Sequence, residues 1–216
     1  QTLAHIATEK QYGRLDNPVL VVAPTSLIPT WRSELRKFAP DLRLLVLHGN
    51  DRKEMFETIP QHDVVLTSYA LLIRDRDMLI DRSFHLVVLD EAQAIKNPTT
   101  KLARTAGLLK ADQRLALTGT PIENHLGELW SVFNFVVPGL LGDRELFRRI
   151  FRNRIEKEGD VERQSLLAAR VKPFMMRRTK EQVASELPPK AEVMREIELT
   201  EQQQDLYESV RLAMHD

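Results

Sequence analysis

The 216-residue chain carries 31 basic and 31 acidic side chains, no cysteine and 43% hydrophobic residues. The missing cysteines exclude a disulfide framework and a thiolate zinc site, and no apolar run reaches the roughly 20 residues a membrane span needs. With no secretory signal at its polar start, the chain reads as an intracellular domain with a sizeable core, or one domain with an insertion.

A formal charge of zero gives the whole molecule no electrostatic preference for nucleic acid. Its distribution is uneven: residues 137–190 carry 13 basic against 8 acidic side chains, and residues 191–216 carry 2 against 7. The plain reading of the basic excess is a solvated helix surface.

In chain order, five Val- and Leu-rich runs predict strands at Val19–Ala23, Leu42–Leu47, Val64–Thr67, Leu86–Leu89 and Arg114–Leu117. Continuous apolarity points to strands buried on both faces. Helical spacing lies between them, as in Trp31, Leu35 and Phe38, or Leu102, Ala106 and Leu109. This alternation predicts a mostly parallel α/β sheet with right-handed crossovers.

After Thr118 only helices are expected. Leu126, Leu129, Trp130 and Phe133 form one stripe, and Leu146, Phe147, Ile150, Phe151 and Ile155 form another behind an Asp143 cap. The division is an α/β lobe over 1–136, a helical insertion over 137–187, and a return strand and helix over 188–216. Val193, Ile197 and Leu199 suggest that strand, and Thr200 with Gln203 a capping box opening the last helix.

Each predicted strand runs directly into small polar residues: Pro24-Thr25-Ser26, His48-Gly49, Thr67-Ser68-Tyr69, Asp90-Glu91 and Thr118-Gly119-Thr120. In an open parallel sheet these ends share the edge where ligands bind, although such residues also make ordinary turns. Asp90-Glu91 ends a buried strand in two acids. Either a Mg²⁺-nucleotide site compensates them, or Asp90 caps a helix with Glu91 in its first turn. Ser26 either caps the helix that begins near Pro29 or leaves free amides to hold a phosphate. Arg177 and Arg178 are a further basic pair for a phosphate, or simply solvated.

Asp90-Glu91-Ala92-Gln93, followed by Ala94-Ile95-Lys96-Asn97, resembles the DEAH/DEAQ box of superfamily-two motors in its Swi/Snf form. Leu117-Thr118-Gly119-Thr120-Pro121-Ile122-Glu123-Asn124 with Leu129-Trp130 is similar to that family's third motif. Pro24-Thr25-Ser26-Leu27 with Trp31, Thr67-Ser68-Tyr69, Phe174 to Lys180 and Leu187 to Lys190 match in the same order.

The resemblance implies a RecA-like three-layer lobe with a helical protrusion, belonging to a two-lobed, ATP- and Mg²⁺-dependent motor. Such a motor tracks double-stranded DNA, and DNA-bound proteins are its remodelling targets. Asp90 would hold Mg²⁺ through water, and Glu91 would act as base with Gln93 beside it. Thr118, Gly119 and Thr120 would couple nucleotide to DNA. Pro24, Thr25, Ser26, His48, Gly49, Thr67, Ser68, Lys96 and Asn97 would line the DNA track. None of the eight glycines opens a G-x-x-x-x-G-K-[ST] phosphate loop, so the chain is expected to begin just after that loop, with a second lobe beyond it. The rival expectation is a nonenzymatic DNA-binding or scaffold module derived from such a motor.

Overall fold

Five strands pair in parallel in the computed structural model, which describes residues 1–120, 124–178 and 199–213. They are β1 (Val19–Ala23), β2 (Leu44–Val46), β3 (Val64–Ser68), β4 (Ser83–Asp90) and β5 (Lys110–Leu117), in the order β2-β3-β1-β4-β5. Every residue of β1 and β3 is buried, because helices cover both faces and no position in a central strand meets water.

Alternate side chains sort into two cores. On one face, Val19, Val21, Val64, Leu66 and Val88 meet Ile6 of α1 (Thr2–Gln11) and Ile28 and Leu35 of α2 (Ile28–Phe38). On the other, Leu20, Val22, Val65, Val87 and Leu89 meet four helices. These are α3 (Tyr69–Arg74), α4 (Arg76–Ile80), α5 (Lys101–Leu108) and α6 (Leu126–Val136), which contribute Leu72, Leu79, Ala106 and Phe135. Each fully buried Val, Leu or Ile stabilises by about 1.5–3 kcal/mol, so the two cores fix a RecA-like three-layer sandwich.

Two local expectations need correction. Phe38 is 61% exposed, whereas Leu35 is 2% exposed. Helix α2 stops at Phe38, the chain turns before Pro40, and Ala39 and Leu42 enter the core in its place. Ser26 does not cap α2. A 3₁₀ turn, Thr25–Leu27, leads into the helix, no side chain bonds its first amides, and Pro29 occupies the first turn.

Helix α6 carries a second apolar face. Leu129, Trp130 and Phe133 pack with Leu141, Phe147, Phe151, Leu167 and Val171 in a third core. Leu141 precedes α7 (Arg144–Phe147), which supplies Phe147; a π turn (Arg148–Arg152) supplies Phe151 and α9 (Val161–Val171) supplies Leu167 and Val171, while Ile155 of α8 (Asn153–Glu158) packs against them partly buried. Asp143 caps α7, accepting from the Leu146 amide at 2.8 Å, and Asp160 caps α9 through the Arg163 amide at 2.9 Å.

Residues 1–173 form one compact unit and 174–216 another. The second contains α10 (Glu201–Ala213), where the Thr200 amide donates to Gln203 Oε1 at 3.1 Å, the backbone half of the expected capping box. The strand expected around Val193 to Ile197 lies outside the described residues, as do Pro121, Ile122 and Glu123. Among the described residues, no helix is long and apolar enough to cross a membrane.

At the N-terminal edge of the sheet, buried acids are paired with bases. Asp63, just before β3, accepts from Lys10 Nζ at 2.7 Å, from the Arg43 amide at 2.7 Å and from Arg43 Nη2 at 3.0 Å. Burial alone would raise its pKa, but these donors prevail and hold it at about 2. Glu9 of α1 is bonded by Arg14 at 2.6 Å and lies 3.2 Å from His85 Nε2.

Candidate functional site

The strand register brings the five polar segments to one edge. Ala23 is level with Ser68, Val22 with Leu89, and Asp90 with Leu117. The residues that follow, Pro24, Tyr69, Glu91 and Thr118, therefore emerge side by side at the C-terminal edge of neighbouring strands.

Asp90 ends β4 half-buried, and its carboxylate is oriented by neutral donors. Oδ1 accepts from the Glu91 amide at 3.0 Å and Oδ2 from the Trp31 indole at 2.8 Å. The Tyr69 hydroxyl donates to the Asp90 backbone carbonyl at 2.7 Å. Burial, then the charges of Asp90 and Glu91, push the Tyr69 phenol well above its ordinary value, so it stays a donor.

Glu91 does not continue into a regular first turn. It is the one non-glycine residue with positive φ among the described residues, at φ 53 and ψ 54. That left-handed conformation costs a residue with a Cβ about 1–2 kcal/mol, and such strain collects at functional sites. The sharp turn ends β4 and starts a 3₁₀ turn, Ala92–Ile95, in which no side chain caps the first amides. The cap reading of the acid pair is therefore not what the structure adopts.

Gln93 bridges outward from this turn. Its Nε2 donates to Glu91 Oε2 at 2.7 Å, and its Oε1 accepts from Thr118 Oγ1 at 2.9 Å. A carboxylate only accepts, which fixes the amide orientation and makes Thr118 the donor. Thr118 Oγ1 in turn accepts from the Thr120 amide at 3.1 Å. One hydrogen-bonded chain thus joins Glu91 to the Thr118-Gly119-Thr120 segment.

Among the described residues no Lys, Arg or His pairs with Asp90 or Glu91. Two half-buried carboxylates with only neutral donors fit a cation that also has ligands outside the protein. Mg²⁺ is such a cation, since it keeps waters and takes one or two carboxylates together with phosphate oxygens.

The residues expected to face DNA divide into two groups. Thr25, Ser26, His48 and Gly49 are exposed, with Pro24 partly so. Thr67 and Ser68 are buried, at 1% and 3% exposure. Thr67 Oγ1 donates to the Leu47 carbonyl at 3.4 Å, and Ser68 Oγ caps α3 by accepting from the Leu71 amide at 3.4 Å. Their hydroxyls therefore shape the edge from inside rather than line it. Lys96 approaches the buried Glu128 at 3.9 Å, and Asn97 Oδ1 accepts from the Thr99 amide and hydroxyl in a local turn. Arg177 and Arg178 are exposed residues of the second unit.

Three anchors escaped sequence reasoning. Arg52 forks onto Asp75 at 2.7 and 3.0 Å and donates to the Gly49 carbonyl at 2.7 Å, which fixes the His48-Gly49 bend. Glu128 receives the Asn124 amide and side chain at 3.0 and 2.9 Å. Ser131 donates to the Ile95 carbonyl, docking the 3₁₀ turn on α6. An acid in the first turn of α6, two residues beyond its start and four after Asn124, was the available signal for Glu128.

A family model described as the SNF2-related domain matches residues 1–216. The chain is 41% identical to the "Putative ATP-dependent helicase/translocase YwqA" of Bacillus subtilis, over 97% of this chain and 23% of that protein. It is 34% identical to the "ISWI chromatin-remodeling complex ATPase ISW2" of Saccharomyces cerevisiae, over 97% of this chain and 19% of that protein. The solved "Sulfolobus solfataricus SWI2/SNF2 ATPase core in complex with dsDNA" aligns with TM-score 0.78 and 42% identity, covering 85% of this chain and 38% of that one. The chain thus spans about a quarter or less of these curated relatives.

Proposed function

Because the chain belongs to the SNF2-related domain family, we propose that it works as the first lobe of an ATP-driven motor that tracks double-stranded DNA and displaces or remodels proteins bound there. The motor would act inside the cell, on nucleoid or nuclear DNA. The observation that carries this reading is the unneutralised acid pair at the sheet edge, joined through Gln93 to Thr118.

Asp90 would hold Mg²⁺ through water, and a bound ion would supply charge neutralisation for the nucleotide phosphates. Glu91 takes a proton from the attacking water, and Gln93 keeps its carboxylate in line. Thr118, Gly119 and Thr120 sense the nucleotide through the same bridge. Pro24, Thr25, Ser26, His48 and Gly49 follow the DNA backbone, supported from below by Thr67 and Ser68. Lys96 and Asn97 flank that track, and Arg177 and Arg178 offer a further phosphate contact. The helices between Arg144 and Val171 form the protrusion, and the rest of the expected insertion and return strand lies largely outside the described residues. A phosphate loop and a second RecA-like lobe complete the ATP site.

The test is Glu91→Gln in a protein carrying this chain with a phosphate loop and second lobe. DNA-stimulated ATP turnover is expected to fall by on the order of 10² to 10⁴, the worth of a positioned general base, with ATP and DNA binding retained. Near-normal turnover in the folded variant removes Glu91 from the mechanism, whereas no DNA-stimulated turnover in the unmutated protein favours a nonenzymatic DNA-binding module.

A further inference from the structure

Asp90 is reached from both faces of the sheet. Trp31 belongs to α2, on the layer with Ile28 and Leu35, and Tyr69 opens α3 and packs against the opposite core. Their hydrogen bonds, at 2.8 Å to Oδ2 and 2.7 Å to the backbone carbonyl, meet on the same residue. Trp31 follows the Pro24-Thr25-Ser26 segment by one helical turn and a half, and Tyr69 directly follows Thr67-Ser68.

An indole N–H can only donate, so it engages one lone pair of Oδ2, as the Glu91 amide engages one on Oδ1. Each oxygen keeps a second lone pair. With one donor on each oxygen and the backbone carbonyl tied separately, the carboxylate plane cannot swing without breaking a charge-assisted bond. Outer partners of this kind tune metal ligands.

We propose that Trp31 and Tyr69 are positioning residues for Mg²⁺: they hold the Asp90 carboxylate in its binding pose and tie that pose to the exposed Pro24-Thr25-Ser26 segment read as DNA track and to the buried Thr67-Ser68 segment that supports it. The inference rests on the assignment of Asp90 as the Mg²⁺-bearing acid. Neither aromatic touches nucleotide in this scheme. Both act through Asp90, so their loss weakens the ion before it weakens anything else.

The experiment uses the full-length motor and reads binding rather than turnover. Fluorescently labelled ADP is titrated while Mg²⁺ is varied, with Trp31→Phe, Tyr69→Phe and Asp90→Ala compared to the parent. Trp31→Phe keeps most of the ring and deletes the donor; Tyr69→Phe deletes only a hydroxyl. Trp31→Phe is expected to raise the Mg²⁺ concentration for half-maximal binding about tenfold, the scale of one hydrogen bond to a charged group. Tyr69→Phe, whose bond is to a neutral carbonyl, should raise it about threefold. Duplex DNA binding without nucleotide should stay within about twofold of the parent, because the backbone contacts that carry it are untouched.

An unchanged Mg²⁺ requirement in both aromatic variants, with or without lost thermal stability, makes the two residues merely structural and overturns the proposal. If Asp90→Ala abolishes the Mg²⁺ dependence in that same comparison, the metal assignment survives and only the positioning role falls. If Asp90→Ala also leaves the dependence unchanged, the assignment of Asp90 falls and the proposal with it.

Discussion

The two edges of this sheet treat buried acid in opposite ways. At the N-terminal edge Asp63 and Glu9 are surrounded by Lys10, Arg43, Arg14 and His85. At the C-terminal edge, among the described residues, Asp90 and Glu91 have only an indole, an amide of the backbone and the Gln93 side chain. The strands between are the same, so the difference lies in what each edge is for. A charge paired within the protein completes the fold; one left with neutral donors keeps the capacity to bind something charged.

The largest effect expected from this contrast is at the paired edge. Asp63→Asn should destabilise the chain by about 2 kcal/mol in urea unfolding, because every contact to that carboxylate is a donor and the amide would oppose one of them. A loss below about half a kcal/mol would mean that the exposed ends of Lys10 and Arg43 are simply hydrated instead.

Acid should act on the same group. The folded pKa of Asp63, about 2, lies below its ordinary value of 3.8. Its stabilisation is therefore full above pH 3.8 and disappears as pH falls through 2. Asp63→Asn should flatten that part of the stability profile, a slope measurable by unfolding at successive pH values. A mutant with the parent's slope over this window would transfer the effect to another carboxylate.

The smallest effect is expected at the unpaired edge. Glu91→Gln should change stability by no more than about half a kcal/mol, since Gln can accept from Gln93 through its own carbonyl oxygen and no cation is left unpaired. A loss comparable to that of Asp63→Asn would erase the contrast and make Glu91 a structural acid.

Much of the fold was written in the sequence, for a physical reason. A strand covered on both faces must be apolar at nearly every position, and Val19–Ala23 and Val64–Leu66 satisfy that without interruption. The edge strand β5 need not, and its polar first half, beginning at Lys110, was missed. The acids, the glutamine and the threonines of the site stood out because small polar residues interrupt apolar runs at a regular place. What holds them did not stand out. Trp31 and Asp90 are 59 positions apart and Ser131 and Ile95 are 36 apart, and each looks locally like an ordinary helix residue. Phe38 misled for the converse reason: its spacing fitted the stripe, but the helix ended at its position.

The left-handed backbone at Glu91 sets two requirements that one residue cannot meet together. Glycine would relax there and make the domain sturdier, while abolishing the carboxylate; any side chain that keeps the carboxylate must accept the strain. Selection for robustness alone would therefore drift this position toward glycine, so under the proposed role of Glu91 a glycine here in a related chain would mark one that has given up hydrolysis while keeping its shape.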